Sequence, residues 1–113
     1  MHELGIARSI VEIAEKNARS QGARRVVSVT VEVGALSGVM AESLEFCFEA
    51  CCRETLLAGC LLQIAKVPAR ASCRVCRREY ALDHFFDNCP ACGSATGDLL
   101  SGEELRIKEM EIE

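Results

Sequence analysis

The stretch Cys73-Arg74-Val75-Cys76, followed after twelve residues by Cys89-Pro90-Ala91-Cys92-Gly93, decides how part of this chain must fold. In each pair two residues separate the thiols, so one tight turn can direct both sulfur atoms at a single point. Two such turns supply the four soft ligands of a tetrahedral zinc site. Four thiolates close the coordination shell and leave no position for water or substrate, which favours a structural zinc over a catalytic one.

Redox pairs and a disulfide framework are the alternatives for a chain with eight cysteines in 113 residues. We expect a soluble, cytoplasmic protein, because the start lacks a signal-peptide pattern and no stretch approaches the roughly eighteen apolar residues of a membrane helix. Thiols stay reduced in that compartment, which favours metal ligands and buried free thiols over disulfides. Neither pair lies between a strand and a helix as in thioredoxin, which argues against a redox role.

Charge is distributed unevenly along the chain. Thirteen basic and seventeen acidic residues give a net charge of −4, and residues 98–113 alone hold six acidic and two basic groups. Nothing resembles the basic surface that binds a phosphate backbone, so we predict no nucleic-acid partner. A small basic cluster is nearly cancelled by nearby acids and suits solvent or partner docking better; it comprises Arg70, Arg74, Arg77 and Arg78.

Periodicity predicts two helices and three strands. Apolar residues recur with helical spacing over residues 4–21, starting at Leu4, and again over 40–55, where one face carries Leu44, Phe48 and Cys51. Alternating valines predict a strand over residues 26–33, and residues 60–67 and 103–113 read as further strands. In the first strand the predicted inner face consists of Val27, Val29, Val31 and Val33.

The third strand should return to the first domain, because a sheet of two strands is marginal in water. We therefore predict an α+β fold with two helices on a small three-stranded sheet and an inserted four-cysteine module like a zinc ribbon. The predicted domains are 1–68 with 98–113, and 69–97. Within the module we expect residues 96–102 to form a polar loop and four apolar side chains to pack on the cysteine turns: Tyr80, Leu82, Phe85 and Phe86.

Met1-His2-Glu3 is a second chemical feature. A free α-amine, an amide nitrogen and an imidazole can form consecutive chelate rings, and nitrogen donors suit Ni(II) or Cu(II) better than zinc. Taken alone, His2 also reads as an ordinary surface residue, and Glu3 as a first-turn acid that complements the helix dipole.

Other reactive side chains are interpreted as structural. Buried cysteines behave as small apolar residues, and this is our interpretation of Cys47, Cys51, Cys52 and Cys60. His84 is not predicted as a ligand, because four thiolates already fill a zinc shell. No phosphate-binding loop and no set of nucleophile, base and acid is recognisable, so we predict a carrier or adaptor rather than an enzyme.

The combination of motifs resembles the HypA/HybF family of hydrogenase maturation proteins over essentially the whole chain. The resemblance rests on the Met-His-Glu start, the helix behind it and the valine-rich strand that ends in Gly34-Ala35-Leu36-Ser37. It also rests on Val67-Pro68 ahead of the two cysteine pairs and on the closing Leu105-Arg106-Ile107-Lys108.

This resemblance implies a nickel metallochaperone that delivers Ni(II) to the large subunit of nickel-iron hydrogenase with a GTPase of the HypB family. Urease accessory proteins are further partners that such carriers share. In this sequence the family's nickel site corresponds to His2, with Glu3 contributing, and lies in the predicted domain of residues 1–68 with 98–113. The family's zinc site corresponds to Cys73, Cys76, Cys89 and Cys92. Glu42 is a candidate for another nickel donor, and the fourth donor is left open.

A zinc-ribbon interaction module that recruits nucleic acid or a protein complex is the alternative function. A thiol redox protein is a third. The oligomeric state is open, because an edge strand and an inserted module also allow strand exchange between chains.

Overall fold

The computed structural model describes residues 2–113, with only the backbone described at position 2. Two helices and six strands follow one another, and the strands form two three-stranded sheets of order β2-β1-β6 and β4-β3-β5. The α+β fold predicted from sequence, with two helices, a small sheet and an inserted four-cysteine module, is confirmed. The elements are α1 (His2–Ser20), β1 (Val26–Gly34), α2 (Ala41–Cys52), β2 (Leu61–Val67), β3 (Arg70–Cys73), β4 (Glu79–Ala81), β5 (Gly97–Ser101) and β6 (Leu105–Ile112).

Strand β1 is the centre of the first sheet, and its valines explain why. Val29, Val31 and Val33 are buried, as alternation predicts, whereas the residues between them are partly exposed. The prediction was wrong at the start of the strand, where Val26 is buried and Val27 is partly exposed. There the Val26 amide donates to the Leu56 carbonyl at 2.8 Å, so the loop that follows α2 covers Val26.

Strand β6 returns to the first sheet, as the sequence predicted, and there it pairs with β1 in the antiparallel direction. At one end the Arg24 amide donates to the Glu113 carbonyl at 2.8 Å. At the other end the Gly34 amide donates to the Glu104 carbonyl at 2.7 Å. The two segments that flank the four-cysteine module in sequence therefore meet in one sheet.

The two helices pack against each other through small and branched side chains. Helix α1 buries Ala7, Ala14 and Ala18, which allow close approach, together with Ile10 and Val11. Leu4, which we placed on this apolar stripe, is instead 49% exposed.

Helix α2 ends at Cys52, three residues before its predicted end. It buries Leu44, Phe48 and Cys52 at successive intervals of four residues. Cys52 therefore replaces the predicted Cys51 on the inner face, because position 51 is rotated about 100° away from it. No helix within residues 2–113 is both long and apolar enough to cross a membrane.

The chain separates into two compact units. The first contains the residues up to Glu32, Val39–Ala65 and Arg106–Glu113, and the second contains Val33–Gly38 and Lys66–Leu105. The predicted nickel- and zinc-binding domains use different limits and stay a prediction. Our expectation of a loop over residues 96–102 was wrong, because β5 pairs antiparallel with β3 and aligns Leu99 with Ala71. Gly97, Asp98 and Ser101 have little strand propensity, so the pairing with β3 decides the conformation of this segment.

Candidate metal centre

Four cysteine sulfur atoms converge at one end of β3. The Sγ atoms of Cys73, Cys76, Cys89 and Cys92 all lie within 4.8 Å of one another, with 3.5 Å between Cys73 and Cys92 and 3.6 Å between Cys76 and Cys89. A zinc ion with Zn–S bonds of about 2.3 Å separates its sulfurs by roughly 3.8 Å, the edge of the tetrahedron. The spacing therefore fits zinc. Among the described side chains, those of residues 3–113, no other group of three or more His, Cys, Asp or Glu converges in this way.

The two cysteine turns have the same backbone design, and we call them the knuckles, residues 73–78 and 89–94. In each, the amide of the first cysteine donates to the carbonyl five residues later, at 2.8 Å from Cys73 and 2.9 Å from Cys89. The carbonyl of that cysteine accepts from the amide four residues later, at 2.9 and 2.8 Å respectively. These hydrogen bonds are local, so the Cys-x-x-Cys sequence is enough to shape each half of the site.

The residue after each cysteine pair has a left-handed backbone. It is Arg77 with φ 65° in the first knuckle and Gly93 with φ 77° in the second. Glycine adopts this conformation without steric penalty, whereas for a residue with a Cβ atom it costs about 1–2 kcal/mol. In the second knuckle the glycine itself signals the left-handed conformation in the sequence. In the first knuckle the only signal is that Arg77 occupies the position that corresponds to Gly93.

Backbone amides prepare two of the sulfurs for metal binding. The Cys76 and Val75 amides donate to the Cys73 sulfur at 3.5 and 3.4 Å. These hydrogen bonds lower the pKa of Cys73 to about 6, with the Cys76 amide the larger cause. Hydrogen bonds from the Cys92 amide, and then from Ala91, likewise lower the pKa of Cys89. The thiolate, which is the form that binds metal, is thus favoured at both positions.

The neighbouring sulfurs have the opposite effect on Cys92. The Ser94 amide lowers its pKa, but hydrogen bonding to the Cys73 sulfur, burial and the other two sulfurs together raise it to about 11. The neighbouring sulfurs therefore oppose a negative charge on the Cys92 sulfur. A divalent ion removes that repulsion, and its binding must release a proton.

The scaffold around the sulfurs is small. Its buried residues are Ala69, Ala71, Tyr80 and Leu82, together with the ligand cysteines 73 and 89. The Arg74 guanidinium donates from Nε to Asp98 at 2.8 Å and so connects the first knuckle to β5. No sequence pattern signals Asp98, because only the tertiary pairing of β3 with β5 brings it beside Arg74.

Two of the aromatic side chains assigned to this core do not lie in it. Tyr80 and Leu82 are buried as predicted, but Phe85 is 53% exposed and Phe86 is 93% exposed. The loop that carries them is closed on itself, since the Asp87 carboxylate accepts the amides of Asp83 and His84 at 2.8 and 3.1 Å. Both phenyl rings are exposed on this closed loop.

The predicted nickel donors lie at the other end of the chain. Met1 and the side chain of His2 lie outside the described residues. Glu3 is described, and its Oε2 accepts the Met40 amide at 3.1 Å. Met40 is the N-cap of α2, so this bond places Glu3 at the helix start. Glu42 is exposed in the first turn of α2.

The remaining candidate side chains agree with a structural interpretation. Cys52 is buried, and Cys47, Cys51 and Cys60 are partly buried. Burial, and to a lesser extent the charges of nearby Cys60, Cys51 and Glu49, raises the pKa of Cys52 to about 12, and burial also raises the pKa of Cys60. His84 is exposed and does not belong to the sulfur cluster.

A small α+β chain with two knuckles that converge four sulfurs is a metal-binding protein built around a zinc-ribbon-like module. The family model described as hydrogenase/urease nickel incorporation, metallochaperone, hypA matches residues 1–112. A hydrogenase maturation factor HypA from Geobacter metallireducens is 53% identical over 113 residues, which is all of both chains. The chain therefore belongs to the HypA family of hydrogenase maturation factors, as its motifs indicated.

Two solved structures have the same fold as this chain. A solution structure of a HypA protein has a TM-score of 0.74 at 24% identity and covers 100% of this chain and 97% of that one. The solution structure of the Ni metallochaperone HypA from Helicobacter pylori has a TM-score of 0.69 at 21% identity, covering 97% and 96%. As a family member, the chain is a metallochaperone and maturation factor and not an enzyme.

Proposed function

We propose that this protein binds Ni(II) near its N-terminus and delivers it to the large subunit of nickel-iron hydrogenase, together with a GTPase of the HypB family. The observation that carries the proposal is the family match over residues 1–112, which includes the Met1-His2-Glu3 start. Urease accessory proteins are a second destination, because the description of the matching family names urease beside hydrogenase.

The nickel donors in this proposal are the nitrogen atoms at the start of the chain and the His2 imidazole, with Glu3 contributing. Nitrogen donors suit Ni(II). A protein that transfers its metal needs a site that can release it. The bond from the Met40 amide holds the Glu3 carboxylate at the start of α2, which makes Glu42 a candidate for a further donor. Acid should weaken nickel binding, because imidazole binds metal in its neutral form.

The four cysteines hold one structural Zn(II) in this proposal. The sulfur spacing, the amide bonds to Cys73 and the closed four-thiolate shell support zinc that stays in place while nickel is transferred. Residues 69–97 are the proposed zinc-binding domain, and residues 1–68 with 98–113 are the proposed nickel-binding domain.

The test uses the two histidines of the chain, His2 and His84. We expect the zinc-loaded protein to bind about one Ni(II) in equilibrium dialysis with metal analysis. The His2→Ala variant should lose that nickel while keeping its zinc and its circular dichroism spectrum. His84→Ala is the matched control and should bind nickel as the wild type does. Unchanged nickel binding by His2→Ala would overturn the proposed site.

A further inference from the structure

Aromatic side chains are scarce in this chain, and most of them are not used for folding. There are four phenylalanines, one tyrosine and no tryptophan. Phe48 and Tyr80 are buried, whereas Phe46, Phe85 and Phe86 are exposed by 78%, 53% and 93%. Burial of a phenylalanine is a main source of folding free energy, and an exposed one contributes almost none of it. Two adjacent exposed phenylalanines therefore require another explanation.

The loop that presents Phe85 and Phe86 is built to hold its shape. We call residues 83–88 the aromatic tip. The Asp87 carboxylate accepts the Asp83 and His84 amides at 2.8 and 3.1 Å, and the Asp87 amide donates to the His84 carbonyl at 3.2 Å. Because this loop is ordered before any partner arrives, docking through it loses little conformational entropy. Rigid aromatic anchors of this kind dominate the energetics of many interfaces.

Charge narrows the kind of surface that the aromatic tip fits. Asp83 and Asp87 flank the two phenylalanines, and residues 83–88 contain no lysine or arginine. Acidic flanks are repelled by anionic lipid headgroups and by nucleic-acid phosphates. They complement an apolar pocket with a basic rim on another protein.

We propose that the aromatic tip is a docking element that inserts Phe85 and Phe86 into a basic-rimmed apolar pocket of the protein that receives the nickel. This inference rests on the proposed delivery function. A carrier must stay bound to its recipient while the metal leaves, so the nickel ligands cannot themselves provide the lasting contacts. The tip lies between β4 and the second knuckle, and its position in the chain is separate from the N-terminal donors.

The test measures binding of zinc-loaded, nickel-free protein to the purified precursor of the hydrogenase large subunit by biolayer interferometry. We expect Phe86→Ser to weaken binding at least about tenfold and the double Phe85→Ser, Phe86→Ser variant to weaken it further. Phe46→Ser removes an aromatic side chain outside the tip whose exposure, 78%, lies between those of Phe85 and Phe86, and it should change the affinity less than about twofold. Zinc content and circular dichroism should be unchanged in all of them, because the replaced rings are exposed.

Two further variants test the shape and the charge of the tip. Asp87→Ala keeps both phenylalanines but removes the acceptor that closes the loop, and it should weaken binding several-fold. Asp83→Lys should slow association and reduce its dependence on salt, since it removes attraction to a basic rim.

Four results would overturn the proposal. Equal affinity of the wild type and the double variant would show that the tip does not dock. Sedimentation could show that the wild type self-associates and that the double variant does not. The partner of the aromatic tip would then be a second copy of the chain. Tip-dependent binding to phosphatidylglycerol vesicles would make a membrane the occupant. A wild type that does not bind the precursor would overturn the delivery function as well, whereas His2→Ala, which tests nickel binding, should bind the precursor normally.

Discussion

Loss of the four-thiolate site should unfold the second compact unit and leave the first folded. The perturbation is Cys73→Ser, which removes a buried ligand whose sulfur accepts two amide hydrogen bonds. Apart from the ligand cysteines, the buried cluster around the site holds only two large side chains, Tyr80 and Leu82. A large apolar side chain contributes about 1.5–3 kcal/mol when it is buried. A structural zinc contributes about 10–16 kcal/mol, so the proposed zinc would stabilise this unit more than its apolar side chains do.

The first unit has a core of its own and should not need the metal. Its fully buried large side chains include Leu44, Phe48, Leu57, Val29 and Val31. Hydrogen exchange with mass spectrometry separates the two outcomes, because it reports on each segment. In Cys73→Ser we expect amides of β3, β4 and β5 to exchange at the rate of an unfolded chain, while α1, α2 and β1 remain protected.

Cys47→Ser is the matched control, since Cys47 is a partly buried cysteine outside the cluster. It should keep both its zinc and the wild-type exchange pattern. Protected amides over residues 70–101 in zinc-free Cys73→Ser protein would refute the reasoning, because the small apolar cluster would then be sufficient by itself.

Two other predictions follow from the backbone and from a buried thiol. Gly93→Ala should lower the stability of the zinc-loaded protein by about 1 kcal/mol because φ is 77° there, whereas Arg77→Gly at φ 65° should be neutral or stabilising; thermal melts that rank the two variants in reverse would contradict this. The pKa of Cys52 is raised from 9.0 to about 12, so the folded state holds this proton more tightly than the unfolded chain does. The contribution of the Cys52 thiol to stability is complete below its unfolded pKa of 9.0 and disappears as the pH rises towards 12. The urea concentration at the unfolding midpoint should therefore fall between pH 9 and pH 12, and it should fall less in Cys52→Ala.

The parts of the fold that could be predicted from sequence depend on local interactions. Each knuckle closes through hydrogen bonds within six residues, so the spacing of Cys73 and Cys76, and of Cys89 and Cys92, was sufficient to predict convergence of the sulfurs. Helical spacing placed α1 within two residues of its observed ends, and alternating valines placed β1 within one. In these cases the side-chain pattern and the backbone pattern have the same period.

The parts that could not be predicted depend on contacts between distant residues or on a single side chain. Strand β5 exists because β3 lies beside it, and its own residues do not favour a strand. Phe85 and Phe86 lie exposed on a loop that the Asp87 carboxylate closes, and no periodicity encodes those hydrogen bonds. The bond between Glu3 and the Met40 amide joins residues 37 positions apart, and no local pattern of residues signals it.

The hydrogen bond from the Met40 amide to Glu3 has a consequence for nickel binding. Helix α2 begins without a side-chain cap from its own N-cap residue, and the Glu3 carboxylate satisfies the Met40 amide in the way a capping-box glutamate would. If Glu3 turns to bind Ni(II), the amide loses its acceptor and the first turn of α2 becomes less stable. Nickel binding and unfolding of the first turn of α2 are then thermodynamically linked. A partner that binds the start of α2 therefore also changes the affinity for nickel.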